Sequence, residues 1–128
     1  MKTAIVTGAS TGIGAAVAKD LSDNGWLVFG LARRPELITL NAGAEVKPIY
    51  CDVSDKSSVS KAFTEIQNEI DHLDALINVA GQYGPIGPSI DIDTEEWIKT
   101  IHVNTLGPLL LSQASKSMLM KAKSPSII

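Results

Sequence analysis

The sequence is poor in the residue types that build disulfides and metal centres. It contains one cysteine, Cys51, in 128 residues, which excludes an internal disulfide and a multi-cysteine metal site. The two histidines, His72 and His102, have no partners at the spacing of metal ligands, so we assign them no role and predict no metal site. Because Cys51 lies in a strand-like run, we expect a buried, unreactive thiol.

Basic charge and long apolar runs are also scarce. The formal net charge is -3, and the 11 lysines and arginines are mostly scattered, which argues against a nucleic-acid-binding surface. No apolar run approaches the length of a membrane span, and no basic cluster followed by an apolar stretch begins the chain. We therefore predict a soluble, cytoplasmic protein that binds neither nucleic acid nor membranes, with one domain at most.

The most informative motif in the sequence is a glycine-rich stretch near the start, Thr7-Gly8-Ala9-Ser10-Thr11-Gly12-Ile13-Gly14. It lies between an apolar run at residues 4–6 and a helical pattern, which predicts a turn from a buried strand into a helix. Glycines permit a tight turn and close approach of a ligand, and the first N–H groups of a helix lack partners within it. The stretch therefore predicts a phosphate-binding loop. The alternative is a turn with a purely structural role.

Strand and helix patterns alternate along the whole chain. We predict strands at residues 2–7, 26–32, 46–51 and 75–79, and helices at residues 12–24, 35–44, 56–71 and 95–123. The last helix is expected to bend or divide at Gly107-Pro108, and residues 124–128 to open a fifth strand. This alternation predicts an α/β fold with a doubly wound parallel sheet of order 3-2-1-4-5, ending after the start of strand 5. In the first helix, we expect Ile13, Val17 and Leu21 to form the buried face.

The spacing of the glycines, G-x-x-x-G-x-G, differs from the common dinucleotide fingerprint G-x-G-x-x-G. Preceded by Thr7 and placed within a few residues of the start, it resembles the cofactor loop of the short-chain dehydrogenase/reductase family. The resemblance implies a Rossmann-like dinucleotide-binding domain over residues 1–128. It assigns six loop residues to the cofactor: Gly8, Ser10, Thr11, Gly12, Ile13 and Gly14.

Two arginines after the second predicted strand bear on the choice of cofactor. In dinucleotide folds, an acidic residue about 20 positions past the glycines binds the ribose of NAD, whereas an arginine accommodates the extra phosphate of NADP. Here Arg33 and Arg34 occupy that place, with no carboxylate before Glu36, and a guanidinium binds phosphate through paired hydrogen bonds. We therefore predict NADP(H) rather than NAD(H), and the resemblance ranks Arg33 above Arg34. The alternative is a solvated loop.

Asp52-Val53 follows the third predicted strand, where members of the family commonly carry Asp-Val or Asp-Leu. The resemblance implies that this pair binds the adenine, with Asp52 accepting its amino group. Asp52 is also suited to cap the following turn with Ser54, and the two roles are compatible.

Asn78-Val79-Ala80-Gly81 resembles the family's Asn-Asn-Ala-Gly motif at the end of the fourth strand. The resemblance places Asn78, Ala80 and Gly81 among the cofactor-binding residues. It implies that Asn78 ties strands together and that Ala80-Gly81 lets the backbone approach the ribose. Val79 replaces the second asparagine, and we expect the lost amide to loosen the turn or alter a hydrogen bond near the sheet.

Asn104 resembles the helical asparagine of the family's catalytic tetrad, whose side chain and local helix distortion hold a proton-relaying water. The serine and the Tyr-x-x-x-Lys pair of that tetrad do not occur: at the required spacing Tyr50 is followed by Ser54 and Tyr83 by Gly87. The resemblance places these residues beyond residue 128. The sequence thus predicts the cofactor-binding portion of an NADP(H)-dependent oxidoreductase acting on a carbonyl or alcohol, which turns over a small-molecule substrate only if the remaining half is supplied.

Two further interpretations stay open: a dinucleotide-binding module without catalysis, and an oligomer-forming half-fold that has lost cofactor binding. Apolar residues surround more than one face of the last predicted helix, which its own sheet cannot cover. They are Leu106, Leu109, Leu110, Leu111, Ala114, Met118, Leu119 and Met120. We therefore expect a homo-oligomer.

Overall fold

The sheet is built around β1, Thr3–Thr7, the strand that leads into the glycine-rich stretch. All five of its residues are buried, as is usual for a parallel strand covered by helices on both faces. The computed structural model describes residues 1–128. Its other elements are α1 Gly12–Asp23, β2 Leu27–Ala32, α2 Glu36–Ala42, β3 Lys47–Tyr50, α3 Lys56–Gln67, β4 Ala75–Ile77, α4 Thr94–Ile101, a π-helical turn His102–Leu106, α5 Gly107–Leu119 and β5 Ser126–Ile127.

The strand order is β3-β2-β1-β4-β5, and each neighbouring pair is parallel. This confirms the predicted doubly wound α/β fold and its order 3-2-1-4-5. At the carboxyl edge, Thr7 of β1 pairs with Leu31 of β2, while Val6 pairs with Ile77 of β4. The order reverses at β1, and doubly wound sheets bind their ligands in the crevice at such a switch point.

Two apolar clusters cover the two faces of the sheet because strand side chains alternate in direction. The larger contains 17 buried residues and joins Ile5 and Phe29 to α3 and α5. The smaller contains 11, several of them alanines, and joins Val6 and Val28 to α1 and α2. Small side chains on this second face allow α1 and α2 to lie close to the sheet.

The buried face of α1 differs from the predicted one. Gly14, Ala15 and Ala18 are buried, whereas Val17 and Leu21 are only partly buried. The prediction was wrong for Ile13, which is 73% exposed. The first turn of α1 lies so close to the loop that a Cβ on Gly14 would come within 2.0 Å of the Gly8 carbonyl oxygen. Small residues therefore form this contact, and the larger side chains lie beside it.

The last predicted helix is divided, but earlier than expected. A π-helical turn, His102–Leu106, separates α4 from α5. Pro108 lies in the first turn of α5, the part of a helix in which proline is best tolerated. None of the helices combines the length and apolar character that a membrane span requires.

α5 hides most of its apolar surface, but not all of it. Its buried apolar side chains are Leu110, Leu111, Met118 and Leu119. Leu109 on α5 is 52% exposed, and Met120, the residue after its end, is 75% exposed. Homo-oligomer formation through this helix remains a prediction.

Candidate functional site

A cleft of about 240 Å³ opens at the carboxyl edge of the sheet, above the ends of β1 to β4. Four connecting segments and the π-helical turn supply its walls. The lining residues are Gly8, Ser10, Thr11, Leu31, Ala32, Arg33, Arg34, Cys51, Asp52, Val53, Ala80, Gly81, Gln82 and Val103. Most of the predicted cofactor residues therefore meet in one cleft, although they come from separate parts of the sequence.

The glycine loop passes close to other backbone at both of its ends. Gly8 has a φ of 65°, and a Cβ there would lie 2.8 Å from the backbone nitrogen of Ala80. Gly14 lies against the Gly8 carbonyl, as described above. Any side chain at either position would push the loop away from β4 or from α1, so close packing requires both glycines, and the positive φ at Gly8 favours glycine there as well.

The N-terminus of α1 has unused hydrogen-bond donors beside the cleft. Thr11 is the N-cap residue, and its side chain makes no capping hydrogen bond. The N–H of Ala15 is bonded to the carbonyl of Thr11 at 3.2 Å. The N–H groups of Gly12, Ile13 and Gly14 precede it and have no partner within the helix. These three residues do not line the cleft, but an uncapped N-terminus at this place favours an anion.

Arg33 and Arg34 both line the cleft at the end of β2. Both side chains are exposed, and neither forms a salt bridge or a side-chain hydrogen bond within the protein. Two guanidinium groups are therefore free to bind an anionic ligand. Between the end of β2 and Glu36 the sequence contains no acidic residue that could neutralise them.

Asp52 caps the turn after β3. Its Oδ1 accepts hydrogen bonds from the Ser54 backbone N–H at 3.0 Å and from the Ser54 hydroxyl at 2.7 Å. Its own N–H donates to the Ser58 hydroxyl at 2.8 Å. The predicted capping role is thus present, and Oδ2 is left without a protein partner. The adenine-binding role of Asp52 and Val53 remains a prediction.

Cys51 forms part of the cleft floor and is 2% exposed. Burial raises the pKa of its thiol to about 11, an effect that a hydrogen bond with Ser58 partly offsets. At neutral pH the thiol is protonated and a poor nucleophile. The predicted burial of the cysteine is confirmed, and its lack of reactivity remains a prediction.

The turn after β4 is bonded to β1 through Thr7. The buried Thr7 hydroxyl accepts hydrogen bonds from the N–H groups of Val79 at 3.0 Å and Ala80 at 3.1 Å. Val79 itself packs against the smaller apolar cluster. The turn therefore keeps two hydrogen bonds to β1 with valine in place of the expected asparagine. Ala80 and Gly81 form the cleft wall beyond it.

Asn78 does not line the cleft. Its side-chain amide donates to the carbonyl of Ile128 at 3.2 Å, and its backbone N–H donates to the same oxygen at 2.8 Å. It ties the end of β4 to the residue after β5. Its predicted role in tying strands together is thus present, and its part in cofactor binding remains a prediction.

Asn104 lies in the π-helical turn, where the resemblance implied a distorted helix. Its Oδ1 accepts from the Gln82 N–H at 2.8 Å, and its Nδ2 donates to the Gln82 carbonyl at 2.7 Å. The amide thus holds the end of the Ala80–Gln82 wall, and its part in a proton relay stays a prediction. Sequence reasoning missed this pairing because nothing in the pattern marks Gln82 as a backbone partner.

The comparisons with known proteins concern the whole chain. The sequence model of the family described as short chain dehydrogenase matches residues 2–128. A short chain dehydrogenase of Pseudocercospora fijiensis is 38% identical over 135 residues, which cover 99% of this chain and 43% of that protein.

Two solved structures illustrate the structural similarity. The ligand-free aldohexose dehydrogenase of Thermoplasma acidophilum is 31% identical, with a TM-score of 0.88 over 98% of this chain and 47% of its own. A metagenomic short-chain oxidoreductase in complex with NADP is 33% identical, with a TM-score of 0.88 over 98% of this chain and 60% of its own.

The match includes every wall of the cleft, because it runs from residue 2 to residue 128. The chain spans about half the length of the relatives it matches, from 43% to 60% in these three. The sheet order, the glycine loop and the family match lead to one conclusion. The chain belongs to the short-chain dehydrogenase family.

Proposed function

We propose that residues 1–128 form a dinucleotide-binding domain that takes NADP(H). The observation that carries this proposal is the position of Arg33 and Arg34, which lie in the same cleft as the glycine loop and have no protein partner. Two free guanidinium groups beside an uncapped helix N-terminus favour a ligand with separate phosphate groups. NADP has both a pyrophosphate and a ribose phosphate, whereas NAD lacks the latter.

The residues of the cleft fit such a cofactor. The backbone of Gly8 packs directly against Ala80, where a Cβ would collide, and this contact joins the glycine loop to the Ala80–Gly81 wall of the same cleft. Arg33 would hold the ribose phosphate, with Arg34 as a second donor, and the free Oδ2 of Asp52 would accept from the adenine. When bound, the cofactor supplies or accepts a hydride.

The names of relatives support an oxidoreductase acting on a carbonyl or alcohol. The metagenomic oxidoreductase was solved with NADP, and a Bacillus subtilis relative, 32% identical over 133 residues, is a 2,3-dihydro-2,3-dihydroxybenzoate dehydrogenase. Asn104 is the residue of this chain to which we assign a catalytic role, while the 128-residue chain by itself is proposed to have no turnover. A single cysteine, held buried as a thiol, suits a reducing compartment, and we propose a cytoplasmic location.

Homo-oligomer formation is a second proposal, and a different observation favours it. α4 contains no buried residue, and its apolar side chains Trp97, Ile98 and Ile101 are 51%, 40% and 39% exposed. An apolar helix face of this kind is typical of an interaction surface. The partner in this proposal is a second copy of the chain. If the chain forms an oligomer but binds no cofactor, the oligomer-forming half-fold is the favoured interpretation.

The cofactor proposal is tested by titrating the purified chain with NADPH and with NADH and following nicotinamide fluorescence. We expect tighter binding of NADPH, and we expect Arg33→Ala to remove that preference by weakening NADPH binding about 10-fold or more while leaving NADH binding almost unchanged. Lys19→Ala, which removes an exposed cation from α1 outside the cleft, is the matched control. Equal binding of both nucleotides by the wild-type chain would overturn the choice of NADP(H), and binding of neither would overturn the cofactor proposal.

A further inference from the structure

Asn41, in the last turn of α2, is bonded to the glycine loop from outside the cleft. Its Nδ2 donates a hydrogen bond of 2.6 Å to the carbonyl oxygen of Ser10, 31 positions earlier in the sequence. Ser10 lines the cleft, whereas Asn41 does not. Asn41 therefore contacts a residue of the candidate site without facing a ligand itself.

The loop has few other attachments to the body of the protein. Ala9 is fully buried, and its N–H donates to the carbonyl of Leu31 at 3.3 Å. The side chain of Thr11 makes no capping bond. No other side chain from outside the loop donates a hydrogen bond to residues 8–14. The Asn41 amide is therefore the outer support of the loop, opposite the inner support at Ala9.

α2 connects this support to the arginines. The N–H of Leu37, in the first turn of α2, bonds to the carbonyl of Arg34 at 3.1 Å, so the helix begins directly after the arginine pair. Ile38 and Ala42 are buried and fix the helix against the sheet. One short helix thus links the arginine end of the cleft to the glycine loop.

We propose that Asn41 is a positioning residue for the cofactor loop. By fixing the Ser10 carbonyl, its amide holds the following peptide units, whose N–H groups open α1, in the orientation that an anion needs. The bond is exposed to solvent, so its contribution to folding is small. This inference rests on the proposed cofactor site, but it assigns to Asn41 a task that both NADPH and NADH would require.

Asn41→Ala tests the inference, with Asn68→Ala as the matched control. Asn68 directly follows the last residue of α3, and its side chain makes no hydrogen bond. We expect Asn41→Ala to weaken the binding of NADPH and of NADH by the same factor, roughly three- to tenfold, the effect of losing one hydrogen bond. The preference for NADPH should persist, and Asn41→Gln, which retains the donor, should restore part of the affinity. The melting temperature should equal that of Asn68→Ala.

Amide hydrogen exchange at Ala15, whose N–H is bonded to the Thr11 carbonyl, gives a second readout that needs no ligand. We expect faster exchange there in Asn41→Ala and unchanged exchange in Asn68→Ala. If wild-type protein binds neither nucleotide, the cofactor proposal fails, while the exchange result still decides whether Asn41 orders the loop. Unchanged exchange, unchanged affinity for both nucleotides, or a loss confined to NADPH would each overturn the assignment. A fall in melting temperature well beyond that of the control would do so as well, since it would indicate a general structural role.

Discussion

α3 and α4 begin in the same way and differ in almost everything that follows. Each has an aspartate at its N-cap whose Oδ1 accepts the backbone N–H two residues later: Asp55 from Ser57 at 3.0 Å and Asp93 from Glu95 at 2.9 Å. α3 buries five residues against the sheet and α5. α4 buries none. Local sequence signals are thus enough to start a helix, whereas tertiary contacts decide how much its apolar residues contribute to the free energy of folding.

The difference in burial also separates a structural role from an interaction role. On α3, Val59, Phe63 and Ile66 are at most 3% exposed, so their burial contributes directly to folding. The corresponding residues of α4 remain in contact with water. Their free energy of burial becomes available only when another surface covers them, which is why α4 is the place where we propose that copies of the chain meet.

Removing an apolar side chain from each helix tests this contrast most strongly. Phe63→Ala should lower the free energy of unfolding by about 3–5 kcal/mol, because it leaves a cavity in the larger cluster. Trp97→Ala should lower the free energy of unfolding of a monomer by less, because about half of this side chain is already exposed, and should in addition weaken association. Urea unfolding at several protein concentrations separates the two effects, since only association makes the midpoint concentration-dependent.

A pair of conservative substitutions, one in each helix, makes the same comparison if Phe63→Ala fails to fold. Ile66→Val should cost about 0.5–1.5 kcal/mol, and Ile98→Val should cost less, because Ile98 is not buried. Equal losses for the two substitutions would mean that α4 is packed against the protein in solution. A chain that light scattering finds monomeric at micromolar concentration, with a concentration-independent melt, would contradict the proposed homo-oligomer.

The two caps give a prediction of intermediate size. Asp55→Ala should lower the global free energy of unfolding by about 0.5–2 kcal/mol, because unfolding the start of α3 exposes the larger cluster. Asp93→Ala removes the same hydrogen bond, yet we expect it to change global stability by less than about 0.5 kcal/mol and to act locally. Amide exchange at residues 95–97 should report the fraying. A loss of global stability as large as that of Asp55→Ala would refute the contrast.

Sequence patterns predicted these features unequally well. The order of elements and the sheet topology followed from strand and helix alternation. Asp52, Arg33 and Gly8 line one cleft, and their roles in cofactor binding remain predictions. Local patterns could not reveal that Ile13 is exposed, because the approach of α1 to the loop depends on Gly14 and the Gly8 carbonyl. The partners of Asn104 and Asn41 were equally hidden, since both amides bond to backbone atoms far away in the sequence.

The segments after the two helices extend the comparison. α4 continues directly into the π-helical turn, whereas α3 leads into a charged segment, residues 71–74, that contacts β1. There the His72 Nδ1 lies 3.1 Å from Asp71 Oδ1, and its Nε2 lies 3.4 Å from Asp74 Oδ2. Asp74 Oδ2 also accepts the backbone N–H of Thr3 at 2.8 Å. A protonated His72 therefore connects two carboxylates at the start of β4, one of which holds β1.

This segment gives the smallest expected effect, a pH dependence of stability. The hydrogen bond with Asp71 raises the pKa of His72, and the same bond lowers the pKa of Asp71. A raised histidine pKa contributes stability that is complete below the unfolded value of about 6.5 and is lost as the pH rises through the folded pKa.

The melting temperature of wild-type protein should exceed that of His72→Gln at pH 5.5 by at most a few degrees, and this advantage should disappear at pH 8.5. Asp71→Asn should reduce the advantage without removing it, because Asp74 still faces the imidazole. An advantage that persisted unchanged at pH 8.5 would mean that neutral packing or hydrogen bonding of the ring, rather than its charge, anchors the segment between α3 and β4.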